Sequence, residues 1–399
     1  IAQEQNATLV SYSVVKEASD RTGQRQLQPT EIYIWVIKPD GSTHFQRQSL
    51  DLLYQQGTTL ADTVNLARCD NPRCRWSNES PIEGSQRVLH HPLHQLHQLL
   101  IEPIAHHLPA EAGTTAESEV VFIPDDELFL VPFAALQEDS GQYLIETHTI
   151  RTAPSIQVLD LTHQRERYAA TRSAGAGATG TPLIVGNPTM PHLPPMISSV
   201  GGVLPSLPGA EKEATTIADL LGAKALVGDR ATEEAVVEAI TQAPIVHLAT
   251  HGLLHDVDVS GMPGALALAP GTTSDGLLTA REIMDLDLTA DLVVLSACDT
   301  GRGGITSDGV IGLSRSLMSS GVPSVMVSLW QVPDEATQAL MTRFYHHLQE
   351  VPNAPNTPNA PNTPNSRDKS QALRQAMLDT MAEYPDPMNW SAFTLMGQR

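Results

Sequence analysis

From about residue 182 to the end, short runs rich in Val, Ile and Leu alternate with longer stretches of helical period, and few folds accept that alternation. Strands are predicted at Leu183–Gly186, Lys224–Val227, Ile245–Thr250, Asp291–Ala297, Ser324–Leu329 and Ala392–Met396. Helices are predicted at Ala210–Leu221, Thr232–Thr241, Gly309–Ser320, Asp334–Gln349 and Ser370–Glu383. Strands with so few polar residues are buried on both sides, and the intervening helices supply the crossovers that parallel neighbours need. The expectation is an α/β fold, a mostly parallel sheet with helices on both faces. Ligands of such sheets bind outside the carboxyl ends of the strands.

Two of those ends carry reactive groups. Ile245 to Thr250 (IVHLAT) runs directly into His251-Gly252, and Asp291 to Ala297 (DLVVLSA) into Cys298-Asp299-Thr300-Gly301. If the two strands are adjacent and parallel, both side chains stand on one rim. A thiolate is a strong nucleophile, and a nearby His lowers its pKa or protonates a leaving amine. The amides of Gly252 and Cys298 are natural oxyanion donors. A lone His at a strand end is more often a hydrogen-bonded structural residue, and a lone buried Cys a small hydrophobe. Their paired placement, each before a glycine-containing turn, favours catalysis.

The first half reads differently. Thr8 to Val15 and Glu31 to Ile37 are β-rich, a turn sits at Asp40-Gly41, and a third strand lies near Thr43 to Gln46, which suggests a small antiparallel start. Helical period covers about Val88 to Leu108, and Glu119 to Ile123 reads as a strand. Ala169 to Thr181 reads as a flexible linker between residues 1–168 and 182–399, with Arg172 a candidate processing site within it. Val351 to Ser366 is a Pro-Asn repeat that cannot form a helix, and the stretch 351–369 is expected to be a disordered, solvated loop.

The formal net charge of −21, from 45 acids against 24 Lys plus Arg, repels phosphate backbones and anionic lipid. Nucleic acid and membrane are therefore poor partners, and no apolar run approaches the roughly 20 residues of a membrane span. Three cysteines do not make a disulfide scaffold, so a reducing, cytoplasmic setting fits a free thiol. The chain opens on Ile1 rather than a methionine, as a fragment or processed protein would, and no basic-then-apolar leader precedes the first strand.

In order and with fitting spacing, the segments PDDELFLVPFAAL (Pro124–Leu136), LIVGNP (Leu183–Pro188), LPGAEKEA (Leu207–Ala214), VHLATHG (Val246–Gly252), LSACDTGRG (Leu295–Gly303), SDGVIGLSRS (Ser307–Ser316), GVPSVMVSLWQVPD (Gly321–Asp334) and WSAFTLMG (Trp390–Gly397) resemble the CHAT family. These are caspase-like protease domains often found in cyanobacterial multidomain proteins. The resemblance runs from about Ala7 to the end and implies a cysteine peptidase, acting on protein or peptide substrates, whose catalytic pair is His251 and Cys298. It needs no cofactor or metal. It also implies that the first half is an inactive protease-like half, as in separase, and that activity is gated by a domain or partner outside this chain, tetratricopeptide repeats being one kind. Relatives select the residue before the cut with a pocket beside the Cys, and an acidic pocket would favour Arg or Lys. Asp299 and Asp334 are the candidates here, for a basic residue, although separases read Trp-Asp where this chain reads Trp330-Gln331. Asp334 reads equally well as a helix N-cap. A non-catalytic scaffold on the same fold is the competing function.

Other signals are weaker. Gly175 to Gly180 fits G-x-G-x-x-G but precedes a strand rather than following one. Gly312 to Ser316 lacks the last glycine of a nucleophile elbow. Cys69, Cys74, His90, His91, His94 and His97 could suggest zinc, but the histidines read as polar positions of an amphipathic helix. The Glu-rich helix from Thr232 reads as an ordinary solvated one.

Overall fold

The computed structural model describes residues 1–19, 26–68, 91–109, 119–172, 180–193, 202–253, 264–296, 307–330, 332–350 and 368–399. It falls into two units, Ile1–Ile156 and Gln157–Arg399.

In the first unit, β1 (Thr8–Ser19), β2 (Gln26–Ile37) and β3 (Thr43–Ser49) form an antiparallel meander. Ile32, Ile34 and Val36 are fully buried, while Tyr33 and Trp35 alternate onto the other face. The turn before β3 uses Gly41 at φ 86°, and the Asp40 carboxylate accepts from the Ser42 amide at 2.8 Å. The helices α1 (Leu60–Ala67) and α2 (Pro92–Leu100) follow. Then β4 (Glu119–Ile123) joins β1 in parallel, and β5 (Thr149–Thr152) joins β4 in parallel. The antiparallel start is thus one side of a mixed sheet.

The second unit opens with α3 (Ile156–Arg172) and then alternates as the sequence predicts. Its elements are β6 (Leu183–Pro188), α4 (Pro208–Leu221), β7 (Ala225–Gly228), α5 (Glu233–Ile240) and β8 (Ile245–Ala249). A small hairpin sheet comes next: β9 (Gly252–Leu253), β10 (Ala265–Ala267) and β11 (Leu277–Thr279). After it come α6 (Ala280–Met284), β12 (Leu292–Leu295), α7 (Ser307–Ser319), β13 (Ser324–Ser328), α8 (Asp334–Glu350), α9 (Lys369–Glu383) and β14 (Phe393–Gly397). Among the described residues the main strands lie in the order β14-β13-β12-β8-β6-β7. All pair in parallel except β14, which is antiparallel to β13. Helices flank this mostly parallel sheet, an α/β architecture of the predicted class. No described helix is long and apolar enough to cross a membrane.

Local chemistry accounts for the helix ends. Pro208 starts α4, where a missing N–H costs nothing, and Gly222 ends it at φ 66°. Thr232 caps α5 by accepting from the Ala235 amide at 3.2 Å. Close packing of α4 on β6 depends on Gly186, because a Cβ there would stand 2.4 Å from Ala214 Cβ and 2.5 Å from the Ala210 carbonyl oxygen. Gly186→Ala is expected to push α4 off the sheet and cost about 1–3 kcal/mol. Urea denaturation measures this, and an unchanged midpoint would contradict the close contact.

Four expectations are corrected. The units part at Ile156/Gln157 rather than after 168. The start of the predicted linker is helical, since α3 reaches Arg172, and residues 173–179 lie outside the described ones. The small residues there, alanine above all, are compatible with helix. The loop expected over 351–369 ends earlier. Asp368 caps α9 by accepting from the Gln371 amide at 3.0 Å, and Lys369 is buried with its ammonium 3.0 Å from Asp291, while 351–367 lie outside the described residues. Finally, α5 is not merely solvated. Glu233 is buried and accepts from the Gly276 amide at 2.9 Å. Glu234 accepts from the amides of Thr273 and Ser274, which holds its carboxyl down at about 2.

Candidate active site

The sheet has a topological switch point between β6 and β8. From β6 the chain moves outward to β7, whereas from β8 it moves the other way to β12 and β13. The connections leave the carboxyl ends in opposite directions, and ligands of open α/β sheets bind at such a reversal. Two segments follow the strand ends there: the loop after β6 that leads into α4, and His251 after β8.

His251 is buried, and its Nε2 lies 2.7 Å from the Pro205 carbonyl oxygen. A carbonyl can only accept, so Nε2 carries the proton and Nδ1 presents a lone pair. Burial pulls the imidazole pKa below the usual histidine value, and the Pro205 carbonyl opposes this more weakly. The contact fixes Nε2–H on the carbonyl and leaves Nδ1 as the nitrogen that can exchange a proton. Its backbone is held by the hairpin sheet. Thr250 Oγ1 donates to the Ala267 carbonyl at 2.6 Å, and the Ala267 amide donates to the His251 carbonyl at 2.9 Å. Gly252 stands opposite Leu266 in that register. With the His251 carbonyl taken by Ala267, this is the non-hydrogen-bonded kind of antiparallel pair, so the Gly252 amide points away from β10.

Four residues earlier on β8, His247 lies in a closed polar network. Its Nε2 is 3.0 Å from Glu213 on α4 and its Nδ1 is 3.2 Å from the Tyr345 hydroxyl on α8. All three side chains are buried. Burial, and then the Glu213 charge, hold the Tyr345 pKa well above its ordinary value, so the hydroxyl keeps its proton beside Nδ1. The Glu213 carboxylate can only accept, so Nε2–H donates to it. The network ties both helices to the strand that carries His251.

Asp334 is the exposed first residue of α8. Its carboxylate lies over Gly209 in the first turn of α4, where a Cβ would stand 2.0 Å from Oδ2. A carboxylate suits a helix N-terminus on electrostatic grounds. This places Asp334 beside the segment that begins at Pro205. Of the predicted site residues, His251, Gly252 and Asp334 share this rim, while Cys298 and Asp299 lie outside the described residues. Among the described residues no cluster of three His, Cys, Asp or Glu could hold a metal. His97, read as a polar helix position, is buried instead, and burial lowers its pKa. Cys69, Cys74 and His90 lie outside the described residues. Sequence reasoning missed Pro205, since a backbone carbonyl leaves no side-chain signature. It also missed Glu213 and His247, although both stand in segments that it quoted.

The CHAT domain family model matches residues 90–398. The chain belongs to the CHAT domain family. It is 30% identical over 348 residues to Tetratricopeptide repeat protein 28 of Mus musculus and 31% identical over 341 residues to that of Homo sapiens. Each match covers 77% of this chain but only 13% of the relative, so the CHAT domain here spans a small part of those proteins. Among solved structures, the Saccharomyces cerevisiae separase–securin complex matches 100% of this chain and 30% of that chain, with a TM-score of 0.51 and 12% identity. At that identity the likeness is one of fold, the caspase-like arrangement of a mostly parallel sheet.

Proposed function

We propose that this CHAT domain is a cysteine endopeptidase working through Cys298 and His251. The observation that carries the reading is the register of β8 on β12. Every pair is 47 positions apart, from Ile245 with Leu292 to Leu248 with Leu295, and His251 and Cys298 are also 47 positions apart. In this reading Nδ1 of His251 takes the thiol proton, and the thiolate attacks the scissile carbonyl. The amides of Gly252 and Cys298 receive the oxyanion. The imidazolium gives its proton to the departing amine, and water then hydrolyses the thioester. Asp334, with Asp299, would recognise a basic residue before the cut through a charge-assisted hydrogen bond. The first unit would serve as a protease-like half without a catalytic pair. A segment such as the tetratricopeptide repeats of the relatives' names would regulate access, in a reducing cytoplasmic setting.

The relatives' names speak of repeats and not of cleavage, which favours a non-catalytic scaffold as the second reading. A peptidyl chloromethylketone with arginine at its reactive end separates the two. The peptidase reading expects an adduct on Cys298, found by mass spectrometry and lost in His251→Ala. An intact fold with no adduct on the wild-type chain supports the scaffold.

A further inference from the structure

We propose that Asn187 is a positioning residue for His251, acting through the backbone of the loop that ends at α4. The inference rests on the peptidase reading for its kinetic consequence only. Asn187 is the penultimate residue of β6 and has φ 45°, a left-handed conformation that asparagine tolerates better than most side chains. Its Oδ1 accepts from the Leu207 amide at 2.7 Å and from the Ser206 hydroxyl at 3.1 Å. Its Nδ2 donates to Glu211 Oε2 at 3.0 Å. The partners settle the amide's orientation, because an N–H must meet the oxygen and a carboxylate must meet the nitrogen. Directly before Ser206 stands Pro205, whose carbonyl accepts from Nε2 of His251 at 2.7 Å.

One side chain therefore joins the end of β6, the loop at 206–207 and the first turn of α4. The carbonyl that selects the His251 tautomer is the next link along that chain. Proline adds no N–H of its own to anchor position 205, so the clamp at 206–207 governs where the carbonyl points. Without it the acceptor can drift from Nε2, the proton can move to Nδ1, and the lone pair that would take the thiol proton is lost. A misplacement of about 1 Å at such a site costs on the order of 100-fold in rate.

The test uses the full chain with ¹⁵N-labelled histidine and reads the tautomer and titration of His251 by NMR. Asn187→Gly keeps the left-handed backbone and removes the amide. It is expected to lower the share of Nε2–H tautomer and to depress the His251 pKa further, because the carbonyl was holding it up. On peptide substrates, kcat should fall about 10- to 100-fold with KM little changed. Asn187→Asp combined with Glu211→Gln swaps the two ends of the contact, keeps an acceptor for Leu207 and Ser206, and should restore the wild-type tautomer. Should Asn187→Gly prove only marginally stable, the same readings are taken in the presence of a stabilising osmolyte such as sucrose. An unchanged His251 tautomer and titration in a folded variant without the amide overturns the proposal. The NMR readings need no turnover, so a wild-type chain that neither cuts peptides nor takes the chloromethylketone would sink the peptidase reading and still leave the clamp testable.

Discussion

Fluorogenic peptides cut by the wild-type chain are expected to stay uncut by Cys298→Ala and by His251→Ala, with kcat/KM down by about 10⁴-fold or more in each. The two losses should not add, because a nucleophile without its base and a base without its nucleophile disable one chemical unit. Far-UV circular dichroism must show both variants folded, since His251→Ala also leaves the Pro205 carbonyl without its donor. The pH profile carries a second expectation. Burial lowers the His251 pKa, so the neutral base survives to lower pH than a free imidazole, and the acid limb of kcat/KM should lie below about 6.5. The same shift acts on stability. Its folded-state pKa lies below the unfolded one, so its contribution is fully present above the unfolded value. That contribution is lost as the pH falls through the folded value. Replacing His251 by glutamine should flatten this part of the melting profile. Cleavage that persists in Cys298→Ala would end the Cys-His reading.

The largest stability effect is expected in the first unit. Arg151 on β5 is fully buried, and it donates from Nε to Glu119 Oε1 at 2.7 Å and from Nη2 to Glu119 Oε2 at 3.3 Å. Nη2 also donates to Gln5 at 2.7 Å. Glu119 is buried as well, on the neighbouring strand β4. Arg151→Met strands a carboxylate in the core and should cost about 3–5 kcal/mol, read as a lower urea midpoint. That is a large share of the 5–15 kcal/mol by which domains are ordinarily stable. Changing both partners, Arg151→Met with Glu119→Leu, removes the orphaned charge and should recover most of the loss. A midpoint unmoved by Arg151→Met alone would mean that the pair does not stabilise the unit.

Much of this fold was legible in advance. The runs LIVG, IVHLA, LVVL and SVMVS became β6, β8, β12 and β13 with ends shifted by no more than about two residues. Their apolar residues need burial on both sides, and that need is local information. Other features escaped because their signal is short or non-local. The hairpin strands β9 to β11 are two or three residues each and show no period. The helix through Arg172 runs into a stretch whose small residues suit helix and linker alike. Glu233 looks like any helix-start acid until the Gly276 amide folds onto it.

The sequence by itself determined the class of fold and the place of His251 directly after a buried strand, because strand period, helix period and chain order are properties of neighbouring residues. Only the tertiary structure decided that β8 lies beside β12 in a register of 47, that Glu119 meets Arg151, and that a carbonyl 46 residues upstream selects the tautomer of His251. Those contacts join residues far apart in the chain, and any of them could have been satisfied by other partners or by water until packing excluded the alternatives.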